Sequence, residues 1–203
     1  MDNGVLDIFN DKKFDKLFEK AHLRISRDRA FSLIEFLKYS LDKDGDLIEM
    51  GVYKGSTAYI IADISKNTEK KLYLLDTFEG TPPHSENDNV KREGFYSDTS
   101  LSYVKDYLMH FNNLSFIKGF IPKTFEKIKN QNFCFCHIHL NLYQSTIDAL
   151  NFIFEKMVSG GIILIEDYGL EACAGVRKAC DEFSKIKNFH MIWLPTGQGL
   201  IIK

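Results

Sequence analysis

Apolar and polar positions alternate along the chain with two different periods, which predict a series of helices and strands. Two amphipathic helices are expected first, at 11–22 and 27–41, and the second has a broad apolar stripe. Its members are Phe31, Ile34, Leu37, Tyr39 and Leu41. Beyond the Asp42–Gly45 break, the pattern predicts strands at 47–50, 71–76, 114–118, 133–140 and 161–165, with helices at 55–65, 123–129, 144–157 and 172–185. Such alternation is typical of a parallel sheet covered by helices on both faces.

The last two predicted strands, 191–194 and 200–202, are separated by only five residues. A parallel crossover needs a dozen residues or more, so these strands must be antiparallel neighbours. We therefore expect an α/β, Rossmann-like fold with a mainly parallel seven-stranded sheet and a C-terminal antiparallel hairpin. A plain dinucleotide-binding domain does not end in this way.

The bulk properties narrow the class of protein. A chain of 203 residues favours a single domain, here with N-terminal helices at 1–42 and a core at 43–203. The formal charge of −2 argues against a nucleic-acid partner, and no apolar run approaches the length of a membrane span. The first residues lack the features of a signal peptide, so we expect a cytoplasmic protein whose four cysteines are thiols.

Candidate ligand-binding residues follow the first two strands, because open α/β sheets bind ligands at the carboxyl ends of their strands. After the first strand comes E-x-G-x-x-x-G, with Glu49, Gly51 and Gly55, followed by Ser56 and Thr57. The glycines permit a tight turn, and the helix N-terminus with its hydroxyls can bind a carboxylate. The second strand ends in Asp76, placed to accept hydrogen bonds from ribose. The two features together favour an adenosyl ligand.

Four further segments complete a recognisable set of motifs. They are D-T-F-E-G at 76–80, Y-S-D-T-S at 96–100, H-I-H-L-N-L-Y-Q-S-T at 137–146 and the segment 159–169, which contains E-D-Y. From Arg24 to its C-terminus the chain resembles the macrocin O-methyltransferase family. The resemblance implies the class I methyltransferase fold, S-adenosylmethionine as cofactor, and a hydroxyl on a sugar or similar small molecule as acceptor.

The resemblance also implies a role for individual positions. Glu49, Gly51, Gly55, Ser56 and Thr57 would hold the methionine part of the cofactor. The ribose would lie at Asp76, followed by Thr77 and Phe78, and the adenine near Gly119 and Phe120. Ser97 and Asp98 stand where the loop 77–97 returns to the site, and one of them is expected to cap the helix that follows. This long loop is interpreted as a lid or substrate-binding segment, with a disordered insertion as the alternative.

The chain departs from the family at the expected metal site. Similar enzymes hold a divalent metal with carboxylates from H-I-D-x-D-L-Y and D-D-Y, whereas this chain has His139, Asn141, Glu166 and Asp167 at those positions. One hypothesis keeps a metal on His139, Glu166 and Asp167, with Mg²⁺ or Mn²⁺ as candidates; a histidine suits Mn²⁺ better than Mg²⁺. A second makes His139 a metal-free general base. A third is loss of activity.

Other functions stay open at this point. The replaced carboxylates allow a non-catalytic S-adenosylmethionine-binding or scaffold protein, and His137 with His139 allows a metal-dependent hydroxylase. The hydroxylase is disfavoured because His137 is expected to be buried one pleat deeper than His139. Strand alternation predicts Cys134 and Cys136 on the opposite face from both histidines, which excludes a shared zinc site. A homo-oligomer is compatible with the family resemblance.

Overall fold

The computed structural model describes residues 12–203, so the predicted helix start at residue 11 and the N-terminal residues read for a signal lie outside the described residues. Six α-helices are found there: α1 Lys12–Lys20, α2 Arg27–Ser40, α3 Ser56–Ser65, α4 Leu101–Tyr107, α5 Tyr143–Lys156 and α6 Ala174–Lys187. Seven strands accompany them: β1 Asp46–Met50, β2 Leu72–Asp76, β3 Leu114–Lys118, β4 Phe133–Ile138, β5 Met157–Ile165, β6 Ile192–Trp193 and β7 Gly199–Ile202.

The strands form one seven-stranded sheet in the order β3-β2-β1-β4-β5-β7-β6. The first five are parallel to their neighbours, while β7 is antiparallel to both β5 and β6. The predicted fold is therefore confirmed, including the C-terminal hairpin. The order of strands reverses at β1 and β4, and ligands of open α/β sheets bind where this reversal occurs.

Helices cover both faces of the sheet. One apolar cluster contains residues of α2 and α3 against alternate positions of β1, β2 and β5, such as Leu47, Leu72 and Leu164. The other contains residues of α5 and α6 against the intervening positions, such as Ile48 and Ile163. Burial of the strands from both sides explains why their sequences are nearly continuous apolar runs.

The predicted apolar stripe of α2 is confirmed at Ile34 and Leu37 but not at Tyr39. Its buried apolar residues are Ala30, Leu33, Ile34 and Leu37, whereas Tyr39 is half exposed. Successive residues of a helix are 100° apart, so Tyr39 lies about 200° around the helix from Leu37. The prediction was wrong for Tyr39 because it counted apolar residues without requiring one common face.

Three of the predicted helices differ from those in the structure. Ser100, and not Ser97 or Asp98, caps α4 by accepting a hydrogen bond from the backbone N–H of Tyr103 at 3.1 Å. Asp98 instead accepts hydrogen bonds from Tyr53 Oη at 2.7 Å and Lys54 Nζ at 2.5 Å.

The helix predicted at 123–129 is a short 3-10 helix, Lys123–Lys127. The helix predicted at 172–185 is α6, which is preceded by the 3-10 segment Glu171–Cys173.

A bulge in β4 overturns the expected orientation of two cysteines. The register shifts between Phe133 and Phe135 against β5, and between Asp46 and Leu47 where β1 pairs with the same part of β4. As a result Cys134 packs in the α2–α3 cluster and Cys136 in the α5–α6 cluster, rather than on one face. All four cysteines are buried free thiols, and burial raises the pKa of Cys173 to about 11.

No helix within residues 12–203 is long and apolar enough to cross a bilayer.

Candidate active site

A pocket with about 950 Å³ of empty volume, its open mouth included, lies at the carboxyl ends of β1, β2, β3 and β4. Its wall is formed by residues from the turns after these strands, from the segment before α2 and from the loop 77–97, which we call the lid loop after its predicted role. They include Arg24, Ile25, Gly51, Tyr53, Ser56, Thr57, Asp76, Thr77, Tyr96, Gly119, Phe120, His139, Asn141 and Ser145.

The turn after β1 can form only because glycines occupy it. Gly51 and Gly55 have φ angles of 91° and 85°, which side-chain-bearing residues rarely adopt. A Cβ at Gly51 would also collide with the carbonyl oxygen of His139. The backbone N–H of His139 in turn donates to the carbonyl of Met50 at 2.8 Å. The glycine turn and His139 are thus fixed against each other.

Asp76 ties this turn to the end of β2. One carboxylate oxygen accepts hydrogen bonds from the backbone N–H groups of Val52 at 2.6 Å and Tyr53 at 2.9 Å. The other accepts from the N–H of Phe78 at 2.7 Å. The Thr77 hydroxyl lies 3.4 Å from this second oxygen, but it donates its single proton to a nearer backbone carbonyl at 2.6 Å. Since a carboxylate has about four acceptor positions, Asp76 keeps one for a ligand hydroxyl in the pocket.

The hydroxyls at the start of α3 also line the pocket. Ser56 and Thr57 are nearly buried, and Ser56 Oγ accepts a hydrogen bond from the backbone N–H of Arg24 at 3.2 Å. The Arg24 guanidinium lies 5.4 Å from the centre of the Tyr53 ring, within range of a cation–π interaction. The segment before α2 is therefore held against the glycine turn.

A buried ionic chain lies beneath the pocket. His137 is fully buried, as predicted, with Nδ1 2.8 Å from Glu49 Oε1 and Nε2 3.2 Å from Glu166 Oε2. Burial by itself lowers the pKa of His137, but hydrogen bonds and charge from the two carboxylates outweigh it and raise the pKa to about 9. Burial opposes ionisation of Glu166, yet its hydrogen bond from His137 and nearby positive charge lower its pKa to about 2. The histidine is therefore held as a cation between two carboxylates.

His139 lies at the pocket surface above this chain. Its side chain is 28% exposed, and Nε2 is 3.5 Å from Asp167 Oδ2. The side chain of Asn141 donates from Nδ2 to the same oxygen, and Asp167 is almost buried. A partly exposed imidazole backed by a buried carboxylate is an arrangement suited to proton transfer.

The structure brings most of the predicted cofactor residues together, but not all. Seven line the pocket: Gly51, Ser56, Thr57, Asp76, Thr77, Gly119 and Phe120. Five do not: Glu49, Gly55, Phe78, Ser97 and Asp98. Glu49 and Phe78 are buried beneath it, and Asp98 is exposed. Of the predicted catalytic residues, His139 lines the pocket, whereas Glu166 and Asp167 lie behind it.

Several pocket residues were not predicted from the sequence. Arg24, Tyr53, Tyr96, Asn141 and Ser145 all line the cavity. Tyr53, Tyr96 and Asn141 have positive φ angles of 52°, 62° and 61°, a strain that clusters at functional sites. Tyr96 and Ser145 belong to the motifs Y-S-D-T-S and L-Y-Q-S-T, and membership of these motifs is the signal that could have identified them.

The lid loop is anchored to α5 and α6 although it contains no helix or strand. Asp88 accepts a hydrogen bond from the backbone N–H of Tyr143 at 2.8 Å, at the start of α5. Arg92 donates to the carbonyl of Ala172 at 2.9 Å, and Lys178 to Asn87 Oδ1 at 2.6 Å. These contacts hold the segment that carries Tyr96 over the pocket.

One glycine lets the lid loop approach α6 this closely. A Cβ at Gly175 would overlap Asp88 Oδ1 and lie 3.1 Å from the Cβ of Tyr143. We expect Gly175→Ala to displace Asp88 and to accelerate tryptic cleavage at Lys91 or Arg92 by about tenfold, because mobile loops are the preferred sites of proteolysis. Limited proteolysis followed by mass spectrometry measures this. Lys185→Ala on the exposed side of α6 is the control, and equal cleavage rates in both variants would show that Asp88 does not anchor the lid.

The predicted metal ligands do not fit a metal site. Glu166 Oε1 is 3.3 Å from Arg29 Nη1, and Oε2 is taken by His137 and by Gln198 Nε2 at 2.8 Å. Asp167 Oδ2 is contacted by Asn141 and His139, and Oδ1 lies 3.9 Å from Arg29 Nη1. Within residues 12–203 no group of three or more His, Cys, Asp or Glu side chains is arranged to hold a metal ion.

The chain is similar in sequence to three characterised methyltransferases. It is 25% identical over 174 residues to the 8-demethyl-8-(2,3-dimethoxy-alpha-L-rhamnosyl)-tetracenomycin-C 4'-O-methyltransferase of Streptomyces olivaceus, covering 75% of this chain and 67% of the relative. The demethyldecarbamoylnovobiocin O-methyltransferase of Streptomyces niveus is 21% identical, over 68% of this chain and 58% of its own length. The mycinamicin III 3''-O-methyltransferase of Micromonospora griseorubida is 23% identical, over 80% and 70%.

Solved structures share the fold. The O-methyltransferase NovP superposes with a TM-score of 0.79 at 19% identity, covering 93% of this chain and 87% of its own. A calicheamicin methyltransferase gives a TM-score of 0.75 at 18% identity, covering 86% and 78%. The profile of the macrocin-O-methyltransferase family matches residues 19–193. The chain therefore belongs to the macrocin O-methyltransferase family, as its motifs predicted.

Proposed function

We propose that the protein transfers the methyl group of S-adenosylmethionine to a hydroxyl of a sugar, carried by a natural product or a similar small molecule. The observation that carries the proposal is that His139 lines the same pocket as the Gly51 turn and Asp76, with the buried Asp167 carboxylate 3.5 Å from its imidazole. The relatives' named acceptors, among them a rhamnosyl group in one case, support a sugar hydroxyl.

The pocket has the features that this cofactor needs. Ser56, Thr57 and the N-terminus of α3 would hold the carboxylate of its methionine part, and Asp76 would accept hydrogen bonds from its ribose. Gly119 and Phe120 lie at the end of β3, where the adenine would bind. When bound, S-adenosylmethionine supplies an activated methyl group on a sulfonium.

The residues of the chain then have to position the acceptor and remove its proton. His139 accepts the hydroxyl proton through its imidazole, and Asp167 stabilises the imidazolium that forms. Asn141 donates to Asp167 and so fixes the orientation of its carboxylate. The aromatic rings of Tyr53 and Tyr96 provide apolar surface around the acceptor and limit the access of water.

The alternative functions are less well supported by the geometry. A non-catalytic cofactor-binding protein has no need for an imidazole at the pocket surface with a buried carboxylate behind it, which His139 and Asp167 provide. An iron-dependent hydroxylase would need His137 as a ligand. Both ring nitrogens of His137 lie within 3.2 Å of a carboxylate oxygen, and the side chain is fully buried.

The four buried thiols are consistent with a cytoplasmic location, which we retain as a proposal. Assembly into a homo-oligomer is likewise retained as a hypothesis from the family resemblance.

Methyl transfer tests the proposed function directly. With methyl-labelled S-adenosylmethionine and a panel of rhamnosides and related deoxysugar glycosides, we expect label in at least one acceptor as an O-methyl ether. Mass spectrometry of the product locates the methyl group. A panel in which label appears only on amines, or in no acceptor although the cofactor binds, would contradict O-methylation of sugars.

A further inference from the structure

Arg29 reaches from α2 to the end of β5, where the family resemblance places a metal ion. Its Nη1 is 3.3 Å from Glu166 Oε1 and 3.9 Å from Asp167 Oδ1, and its Nε donates to the carbonyl of Thr196 at 3.0 Å. Only 19% of its side chain is exposed. A positive charge thus bridges the two carboxylates that were predicted to bind a metal.

The surroundings hold this guanidinium in place. Gln198 is fully buried and contacts both sides of the interaction, donating to the carbonyl of Arg29 at 3.3 Å and to Glu166 Oε2 at 2.8 Å. A Cβ at Gly197 would lie 3.2 Å from Arg29 Nη2. Arg29 is therefore packed between the β6–β7 turn and the two carboxylates, and it is not a loosely placed surface side chain.

A divalent cation and Arg29 are alternatives at this position. A metal would require free lone pairs on Glu166 and Asp167, which already accept hydrogen bonds from neighbouring side chains. It would also place two positive charges against the guanidinium. The carboxylates that the family resemblance expects after β4 are replaced by His139 and Asn141, so the site has lost the negative charge that would offset a divalent cation.

We propose that Arg29 is the resident cation of this site in place of a divalent metal, and that it positions Asp167 behind His139. Building on the proposed function, it follows that methyl transfer by this enzyme needs no added metal. Arg29 is a positioning residue, since it contacts the carboxylates and does not line the pocket. Because Asp167 lies 3.5 Å from His139, Arg29 affects the orientation of His139 through Asp167.

Kinetics of Arg29 variants test the positioning role. We expect Arg29→Gln to lower kcat by about 10- to 100-fold, with the KM for S-adenosylmethionine changed by no more than about twofold, because small misplacements of catalytic groups are costly. Arg29→Lys keeps the charge and should recover part of the loss. Arg27→Gln, on the same helix with an exposed Asp15 partner, is the control and should stay within about twofold of wild type.

Addition of guanidinium at low millimolar concentration should also restore activity to Arg29→Ala. If Arg29 had only a structural role, added guanidinium would not restore activity. An unchanged kcat in Arg29→Gln, or an equal loss in Arg27→Gln, would overturn the positioning role. If Arg29→Gln does not fold, the kcat of Arg29→Lys relative to wild type tests the positioning role instead, since a lysine cannot form the same paired contacts. An unchanged kcat in Arg29→Lys would then overturn the role.

Metal binding tests the second part of the proposal, that Arg29 takes the place of a divalent metal, without any assay of activity. Titration of wild-type protein with Mn²⁺, followed by electron paramagnetic resonance, is expected to show no site tighter than about 1 mM. The reason is that both oxygens of Glu166 and one of Asp167 are already contacted by neighbouring side chains, and the Arg29 charge lies beside the other. A tighter site that is lost in Asp167→Asn would overturn the proposal, as would activity that EDTA abolishes and Mn²⁺ or Mg²⁺ restores. If instead the proposed function is wrong, methyl transfer will be absent while the protein still shows no tight Mn²⁺ site.

Discussion

Replacing His139 with alanine is expected to lower kcat by about 10²- to 10⁴-fold, the range that a positioned general base contributes. The imidazole lines the pocket beside the glycine turn, and Asp167 lies 3.5 Å behind it. The affinity for S-adenosylmethionine should change little, because the residues proposed to bind the cofactor belong to the turns after β1, β2 and β3. Single-turnover rates with labelled cofactor and a glycoside acceptor measure the loss.

The control for this experiment is His190→Ala, since His190 is exposed and outside the pocket. Its kcat should equal that of wild type. A His139→Ala enzyme that retains more than about half of the wild-type kcat would show that the acceptor loses its proton to another group or to water.

Replacing His137 with glutamine is expected to destabilise the protein by about 3–5 kcal/mol. The substitution leaves Glu49 and Glu166 buried without the cation between them. For a chain of this size the loss corresponds to a decrease in Tm on the order of 10 °C. Thermal unfolding at pH 6, with His190→Gln as the exposed control, measures the difference.

The stabilisation by His137 also depends on pH. Its folded-state pKa of about 9 is raised above the ordinary value of 6.5, so the stabilisation is complete below pH 6.5 and is lost as the pH rises through 9. Glu166 has its pKa lowered to about 2, so its contribution is present above pH 4.5 and is lost as the pH falls towards 2. The Tm difference between wild type and His137→Gln should therefore narrow between pH 6.5 and about pH 9.5. A difference that is constant over this range would contradict the buried ion pairs.

The sequence was informative about the fold and about residues at strand ends. Apolar runs separated by helical segments predict parallel strands, and the carboxyl ends of such strands necessarily meet at one edge. For this reason the sequence alone indicates a common site for Gly51, Asp76, Gly119 and His139. All four line the pocket.

The parts that were missed depend on contacts between distant segments. Arg29 and Glu166 are 137 positions apart, and no local pattern indicates that a residue of α2 crosses to the end of β5. The bulge in β4, which separates Cys134 from Cys136, likewise has no signal in the periodicity of the strand. Ser97, Ser100 and Asp98 are all suitable helix caps, and the contacts of Asp98 with Tyr53 and Lys54 decide among them.

Binding of S-adenosylmethionine by calorimetry, in EDTA, tests most directly that this pocket is a cofactor site. The wild-type protein is expected to bind with a Kd in the micromolar range. Asp76→Asn should bind at least about tenfold more weakly, since a hydrogen bond to a charged group contributes about 1.5–3 kcal/mol. Asp63→Asn, towards the far end of α3 from the pocket, should bind like wild type. The absence of any binding by the wild-type protein at millimolar cofactor would contradict the assignment of the pocket.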